Sequence, residues 1–217
     1  MGDRFDRLGV RHANVESLLR RPAGIGHNGG PTFDVSWGAW VWRRAAKKAW
    51  ANPKPEVALR RIRRAESLGI TYREFASALM DTGSHLGAAV VPLSLAARVR
   101  RDAGRAIVVE PRNGMAEKVA KFGGRLFMLG DIDAVPTMNI DERDGFLGIA
   151  NRPFDGRIEA IGWGHDGPAI RTMLRANNLA HQETFLVGSG IPHALLAETA
   201  HLPLYKDIVS WFTTTSP

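Results

Sequence analysis

Two acids, and a turn that carries a histidine, are the residues of this chain best suited to chemistry. Gly130-Asp131-Ile132-Asp133 follows the apolar run at 125–129, and alternation along an extended segment sends Asp131 and Asp133 to one side. Carboxylates so placed can hold a divalent cation within its water shell, or divide the nucleophile and acid roles of phosphoryl transfer. Gly162-Trp163-Gly164-His165-Asp166-Gly167-Pro168 leaves a predicted strand and enters a predicted helix, so free N–H groups and the helix dipole favour an anion there. In that turn His165 is placed for acid–base work, and Asp166 to orient it or to cap the helix. Gly188-Ser189-Gly190 repeats the geometry at the next strand end, and together with Gly164 these residues form a candidate ligand loop. Their spacing departs from the dinucleotide fingerprint and from the nucleophile elbow. Each feature also has a purely structural explanation, as a strand-end acid, a helix cap or a glycine turn.

The Asp131–Asp133 pair resembles the first motif of haloacid-dehalogenase-type phosphatases. With Glu110 ending the preceding predicted strand it also resembles a Toprim arrangement. The first resemblance implies an α/β hydrolase or phosphotransfer enzyme acting on a phosphorylated substrate, with Asp131, Asp133 and His165 around a divalent cation. The chain departs from both patterns: Ala134-Val135-Pro136 is not the usual continuation of the former, and Glu110 lies only 21 residues before Asp131, short for the latter.

A second set of residues points to a different chemistry. The net charge of +7 is unevenly spread: residues 36–105 carry 14 Lys/Arg against 5 Asp/Glu, and residues 106–217 carry 10 against 13. A concentrated positive field is what a polyanion feels through phosphate neutralisation and counterion release. The cations fall on two predicted helices, Arg43, Arg44, Lys47 and Lys48 among the tryptophans of residues 36–50, and Arg60, Arg61, Arg63 and Arg64 before Gly69. A capping box at Thr71-Tyr72-Arg73-Glu74 starts a third helix, which carries Arg73 and ends at Gly83. Residues 60–83 resemble a helix-turn-helix, with Ala65, Leu68, Gly69, Ile70 and Phe75 at its packing and turn positions. These features make a nucleic-acid-binding protein, with DNA regulation as its finer form, the leading expectation, and the metal-dependent hydrolase its alternative. The exposed face predicted for the third helix is nearly neutral, which assigns any phosphate contact to the helices before it.

The expected fold is α+β overall, an N-terminal basic helical module followed by a small α/β sheet domain. Residues 1–35 form an arm and a Gly-rich linker, 36–105 the basic helical module, and 106–217 the α/β domain. In the last, strand 106–109, helix 113–122 and strand 125–129 make a β-α-β unit. A hairpin pairs 145–150 with 157–163, followed by helix 168–177, strand 184–187 and helix 192–201. Leu93 to Arg101 is expected to be helical, with the domain boundary at Asp102-Ala103-Gly104.

The GHNGGP loop, the aromatic and basic helix at 36–50 and the AESLGITYREF segment together resemble a group of small uncharacterised alphaproteobacterial proteins, over residues 24–86. The resemblance implies a bacterial protein and brings no activity or site residues with it. The chain has no cysteine, which excludes disulfides, thiolate zinc sites and cysteine nucleophiles. No apolar run reaches the length of a signal peptide or a membrane span, so a cytoplasmic protein without membrane contact is expected. A small ligand in the α/β domain and a homodimer complete the expected partners.

Overall fold

A computed structural model describes residues 53–104, 106–130, 138 and 140–214. Lys54–Pro217 forms one compact unit, and the other, Met1–Pro53, lies almost wholly outside the described residues. The Gly-rich linker and the helix expected over 36–50 fall there.

Two helices open the described chain. Helix α1 (Pro55–Leu68) starts on a proline, whose missing N–H costs nothing in a first turn. It ends at Gly69, in left-handed conformation at φ 67°, with N–H groups returned to Ala65 and Glu66. Helix α2 (Tyr72–Thr82) begins on the predicted capping box, the Thr71 hydroxyl accepting from the Glu74 N–H while the Glu74 carboxylate accepts from the Thr71 N–H. Strand β1 (Ala88–Pro92) follows, buried along its whole length. A one-turn helix, α3 (Leu93–Ala96), leads into β2 (Ala97–Arg101), which pairs antiparallel with β3 (Ile107–Pro111). Then come α4 (Met115–Lys121), β4 (Arg125–Gly130), α5 (Ile140–Asn151), β5 (Ile158–Trp163), α6 (Gly167–Ala176), β6 (Thr184–Gly188), α7 (Gly190–Thr199), β7 (Tyr205–Asp207) and α8 (Ile208–Thr213).

The main sheet has the order β5-β4-β1-β6-β7, and every neighbouring pair in it is parallel. Strand β1 is therefore central. From it the chain builds outward through β4 and β5, then returns across β1 to add β6 and β7. Parallel strands covered on both faces read as continuous apolar runs, as AAVV, LFML and FLV do here. One face carries Ala88, Val90, Phe127, Leu129 and Leu186 against Ile170 and Leu174 of α6 and Ala197 of α7. Phe122 packs on Phe185 and on the edge of Trp211, whose indole N–H donates to the Leu68 carbonyl at 3.0 Å.

The expected order, helices first and an α/β sheet after them, is the one observed, but its internal boundaries move. The boundary expected at 102–104 falls inside the β2–β3 hairpin, and the central strand lies before it. Residues 88–91 were expected to belong to the helical module because a short apolar run has no periodicity that separates buried strand from buried helix. Leu93–Arg101 is one helical turn and then a strand, with Ala97 and Val99 buried and Arg98 and Arg100 exposed. Strand β3 belongs to the hairpin, so the expected β-α-β unit from 106 to 129 does not exist. The expected 145–163 hairpin is a helix followed by a strand, because Phe146 and Ala150, four apart, are both buried on one helical face.

Candidate functional site

In an open parallel sheet, ligands bind beyond the carboxyl ends of the strands, where the strand order reverses. Here that place is the end of β1, between β4 and β6. The chain leaves β1 through Pro92, Leu93 and Ser94, the first two buried. It leaves β4 from Gly130 directly into Asp131, and β6 from Gly188 into Ser189 and the start of α7. A cleft of about 710 Å³ opens beside this edge, lined by Leu95 after β1, by Arg98, Glu110, Arg112 and Asn113 of the hairpin and its exit, and by Phe212 after β7.

The charges in this cleft are sorted by the hairpin. Arg98 stands opposite Glu110 in the β2–β3 register, but the Glu110 carboxylate is bound by Arg100, at 2.6 and 3.0 Å. Hydrogen bonding to Arg100, helped by the charges of Arg100 and Arg98, holds the Glu110 carboxyl below the usual range. Arg112 Nε donates to the Ser94 carbonyl at 2.6 Å, which ties the hairpin exit to the end of the central strand. Arg98 and Arg112 are both exposed, and guanidinium forks suit phosphate and carboxylate oxygens. Arg101 donates to both Glu142 oxygens at 2.8–2.9 Å and so anchors the hairpin to α5. Neither Arg98 nor Arg112 was among the expected site residues. The period-two pattern Ala-Arg-Val-Arg over 97–100 marks a strand and places Arg98 on its exposed face; no local signal marks Arg112.

The expected acidic pair, Asp131 and Asp133, lies outside the described residues, as do Arg43, Arg44, Lys47 and Lys48. Glu110 belongs to the hairpin and is committed to Arg100, which removes the Toprim-like arrangement. His165 is exposed at the end of β5, two strands from β1 and three from β6, so about 14 Å of sheet separates it from Ser189. The structure therefore does not gather His165 and Ser189 into one crevice. Asp166 caps α6, accepting from the Ala169 N–H at 2.8 Å. Gly164 is required by packing, since a Cβ there would lie 2.7 Å from that of Ala169. Gly188 and Gly190 shape the β6 exit: a Cβ on Gly188 would meet His193 Cβ at 2.4 Å, and Gly190 has φ 72°. His193 Nδ1 lies 2.7 Å from the Ser189 carbonyl oxygen and 3.3 Å from the Ser189 nitrogen, so the ring closes the turn at the β6 exit.

A divalent cation needs several oxygen ligands converging on one point. Among the described residues no three His, Asp or Glu side chains converge in this way. At the carboxyl edge Glu110 is paired with Arg100, and Asp207 caps α8 by accepting from the Val209 N–H. The described residues do not fit a divalent-ion site.

The DNA-reading helix-turn-helix expected at 60–83 is corrected by the packing of the two helices. Arg64 is turned inward, donating to the carbonyls of Gly123 at 2.6 Å, Leu86 at 3.4 Å and Gly87 at 3.5 Å. Arg61 lines a small cavity with Phe75 and His85, while Arg60, Arg63 and Arg73 are exposed. Helix α2 is fixed to the sheet: Glu74 accepts at 2.9–3.0 Å from Lys206 of β7, a lysine only 4% exposed. The pair is a support for the edge of the sheet, with Arg64 and Glu74 spent on the fold.

No family model matches the chain, and no curated protein is similar to it. Among solved structures it is similar to a protein assigned to the HAD family hydrolases from Streptomyces avermitilis, at 16% identity and TM-score 0.36, over 56% of this chain and 66% of that one. It is also similar to an uncharacterised protein from Listeria monocytogenes serotype 4b, at 15% identity and TM-score 0.32, over 48% and 67%. A hypothetical protein from Xanthomonas campestris matches at 13% identity and TM-score 0.36, over 60% and 68%.

Proposed function

We propose that the protein is a hydrolase-type α/β protein acting on a phosphorylated small molecule at the carboxyl edge of its parallel sheet. The observation that carries this reading is the exposed pair Arg98 and Arg112 in a cleft that Leu95, just past the central strand, also lines; in sequence Asp131 follows β4, a strand paired with that central one. The arginines hold the phosphate oxygens by charge-assisted hydrogen bonds. Asp131 is the nucleophile: its carboxylate oxygen attacks phosphorus, the bond to the ester oxygen breaks, and Asp133 gives that oxygen its proton. Water then hydrolyses the aspartyl phosphate and frees inorganic phosphate. No step is routed through a metal, and His165 has no part in this scheme.

A second reading, binding of the same ligand without turnover, is favoured by one observation. The central strand, nearest the switch point, ends at Pro92, and the turn that follows it, Leu93–Ala96, brings no acid there. The two readings separate in one experiment. Phosphate release from a panel of phosphomonoesters, run in Mg²⁺-containing buffer beside calorimetric titration with inorganic phosphate, gives release plus binding for the first and binding alone for the second. Neither release nor binding removes both.

A further inference from the structure

We propose that the cavity between α1, α2 and the loop before β1 is a binding site for a small polyphosphate, a compact anion of two or more linked phosphoryl groups. The cavity measures about 340 Å³ and is lined by Val57, Arg60, Arg61, Arg64, Phe75 and His85. Ligand pockets run from roughly 300 to 1,000 Å³, so it has room for a small molecule. It is separate from the proposed phosphate-ester cleft and does not rest on that reading. His85 precedes the amino end of the central strand, the cleft opens past its carboxyl end, and β1 runs between the two places.

The helix itself gathers the cations. Positions 57, 60, 61 and 64 recur at the spacing that puts side chains on one face of α1, so three guanidinium groups are forced together. Arg64 is the fixed member: three of its five N–H donors go to the carbonyls of Gly123, Leu86 and Gly87. Those bonds pin a half-buried cation without neutralising its charge. Among the described residues no carboxylate forms an ion pair with Arg60 or Arg64, and none of the lining residues is acidic. The acids of the two helices are placed elsewhere. Glu56 is exposed in the first turn of α1, Glu66 lines a different cavity, Glu74 is held by Lys206, and Asp81 is exposed near the end of α2. Arg60 and Arg64, four apart, are a like-charge pair of the kind that destabilises a helix. A bound anion turns that repulsion into attraction to a shared partner.

The wall also selects among anions. A guanidinium fork donates two N–H groups to neighbouring phosphate oxygens. Forks one helical turn apart, about 5.4 Å of rise, suit two linked phosphoryl groups better than a single one. Phe75 and His85, their ring centres 6.0 Å apart, supply the wall from α2 and from the loop before β1. Val57 adds an apolar surface, so the charged contacts are made beside side chains that exclude water and strengthen them.

The test is titration calorimetry of the full chain with inorganic pyrophosphate in an Arg98→Ala/Arg112→Ala background, which removes the cleft arginines from the reading. One equivalent is expected to bind. Arg60→Gln or Arg61→Gln, added singly to that background, should weaken binding about 10-fold or more, and Arg60→Lys, which keeps the charge and loses the fork, should fall between. Orthophosphate should bind more weakly than pyrophosphate. With ring-labelled histidine, pyrophosphate should move the His85 signals furthest among the seven histidines, a shift read in the parent chain as well, so that it does not depend on how the background folds. No binding in the background, binding unchanged by both Arg60→Gln and Arg61→Gln, or a largest shift at another histidine would overturn the proposal. Orthophosphate bound as tightly as pyrophosphate would overturn the choice of a polyphosphate.

Discussion

At the scale of single residues, Arg98 and Arg112 hold the phosphate in the proposed reaction, and Asp131 and Asp133 carry the transfer. Arg112 is set by its bond to the Ser94 carbonyl, so its free N–H groups face the cleft from a fixed stem. Removing either cleft arginine takes away a charge-assisted hydrogen bond to phosphate, about 1.5–3 kcal/mol. Arg112→Ala should therefore weaken phosphate binding about 10- to 100-fold in titration calorimetry. Arg98→Ala should do so to a similar extent, while Arg100→Ala, whose guanidinium is spent on Glu110, should do so less. Asp131→Asn removes the nucleophile and should lower phosphate release on the order of 10³-fold or more while leaving phosphate binding in place.

At the scale of elements, what was legible in the sequence was whatever local chemistry decides. The capping box at Thr71, the left-handed Gly69 and Gly83 and the cap at Asp166 all stand where the residues put them. What was not legible depended on partners far along the chain. Ala88–Pro92 is a strand because β4 and β6 flank it, and nothing within five apolar residues states this. Ala97–Arg101 shows its alternation only once the helix expected over it is given up. The candidate site divided the same way: Asp131 and the β6 turn were visible as strand-end residues, but the arginines reach the cleft only through a hairpin whose existence was missed. Long-range pairing also governs stability. Burial raises the Glu74 carboxyl, but hydrogen bonds from Lys206 and Thr71 outweigh it, and the net value falls below the ordinary 4.5. A carboxylate depressed on folding stabilises above its unfolded value, and that stabilisation is lost as pH falls through the folded one. Glu74→Gln should therefore cost about 2–4 kcal/mol at neutral pH by leaving Lys206 uncompensated, and its stability should fall less than the parent's below pH 4.5 in urea titrations. Gly167→Ala places a Cβ 2.3 Å from the Thr199 carbonyl group, where α6 and α7 meet. It should lower stability by about 1–3 kcal/mol, read from the same curves.

At the scale of the molecule, the positive charge concentrated in residues 36–105 changes meaning once the chain is folded. Arg98, Arg100 and Arg101 belong to the hairpin beside the sheet edge, and Arg64 closes the turn between the sheet and α1. Among the described residues, these four arginines serve a cleft and a framework. Because the central strand lies at 88–92 and its hairpin spans residue 105, a fragment of residues 106–217 lacks the middle of its own sheet and should not fold. A fragment of residues 54–217 should unfold in one cooperative thermal transition, checked by far-ultraviolet circular dichroism. Turnover of phosphate esters at the carboxyl edge of this sheet, with Asp131 as nucleophile, is decided by phosphate release from a phosphomonoester panel by the parent chain and by Asp131→Asn. Release by the parent chain is expected, lost in the variant with calorimetric phosphate binding unchanged; equal release by both, or none by the parent chain, would remove the assignment.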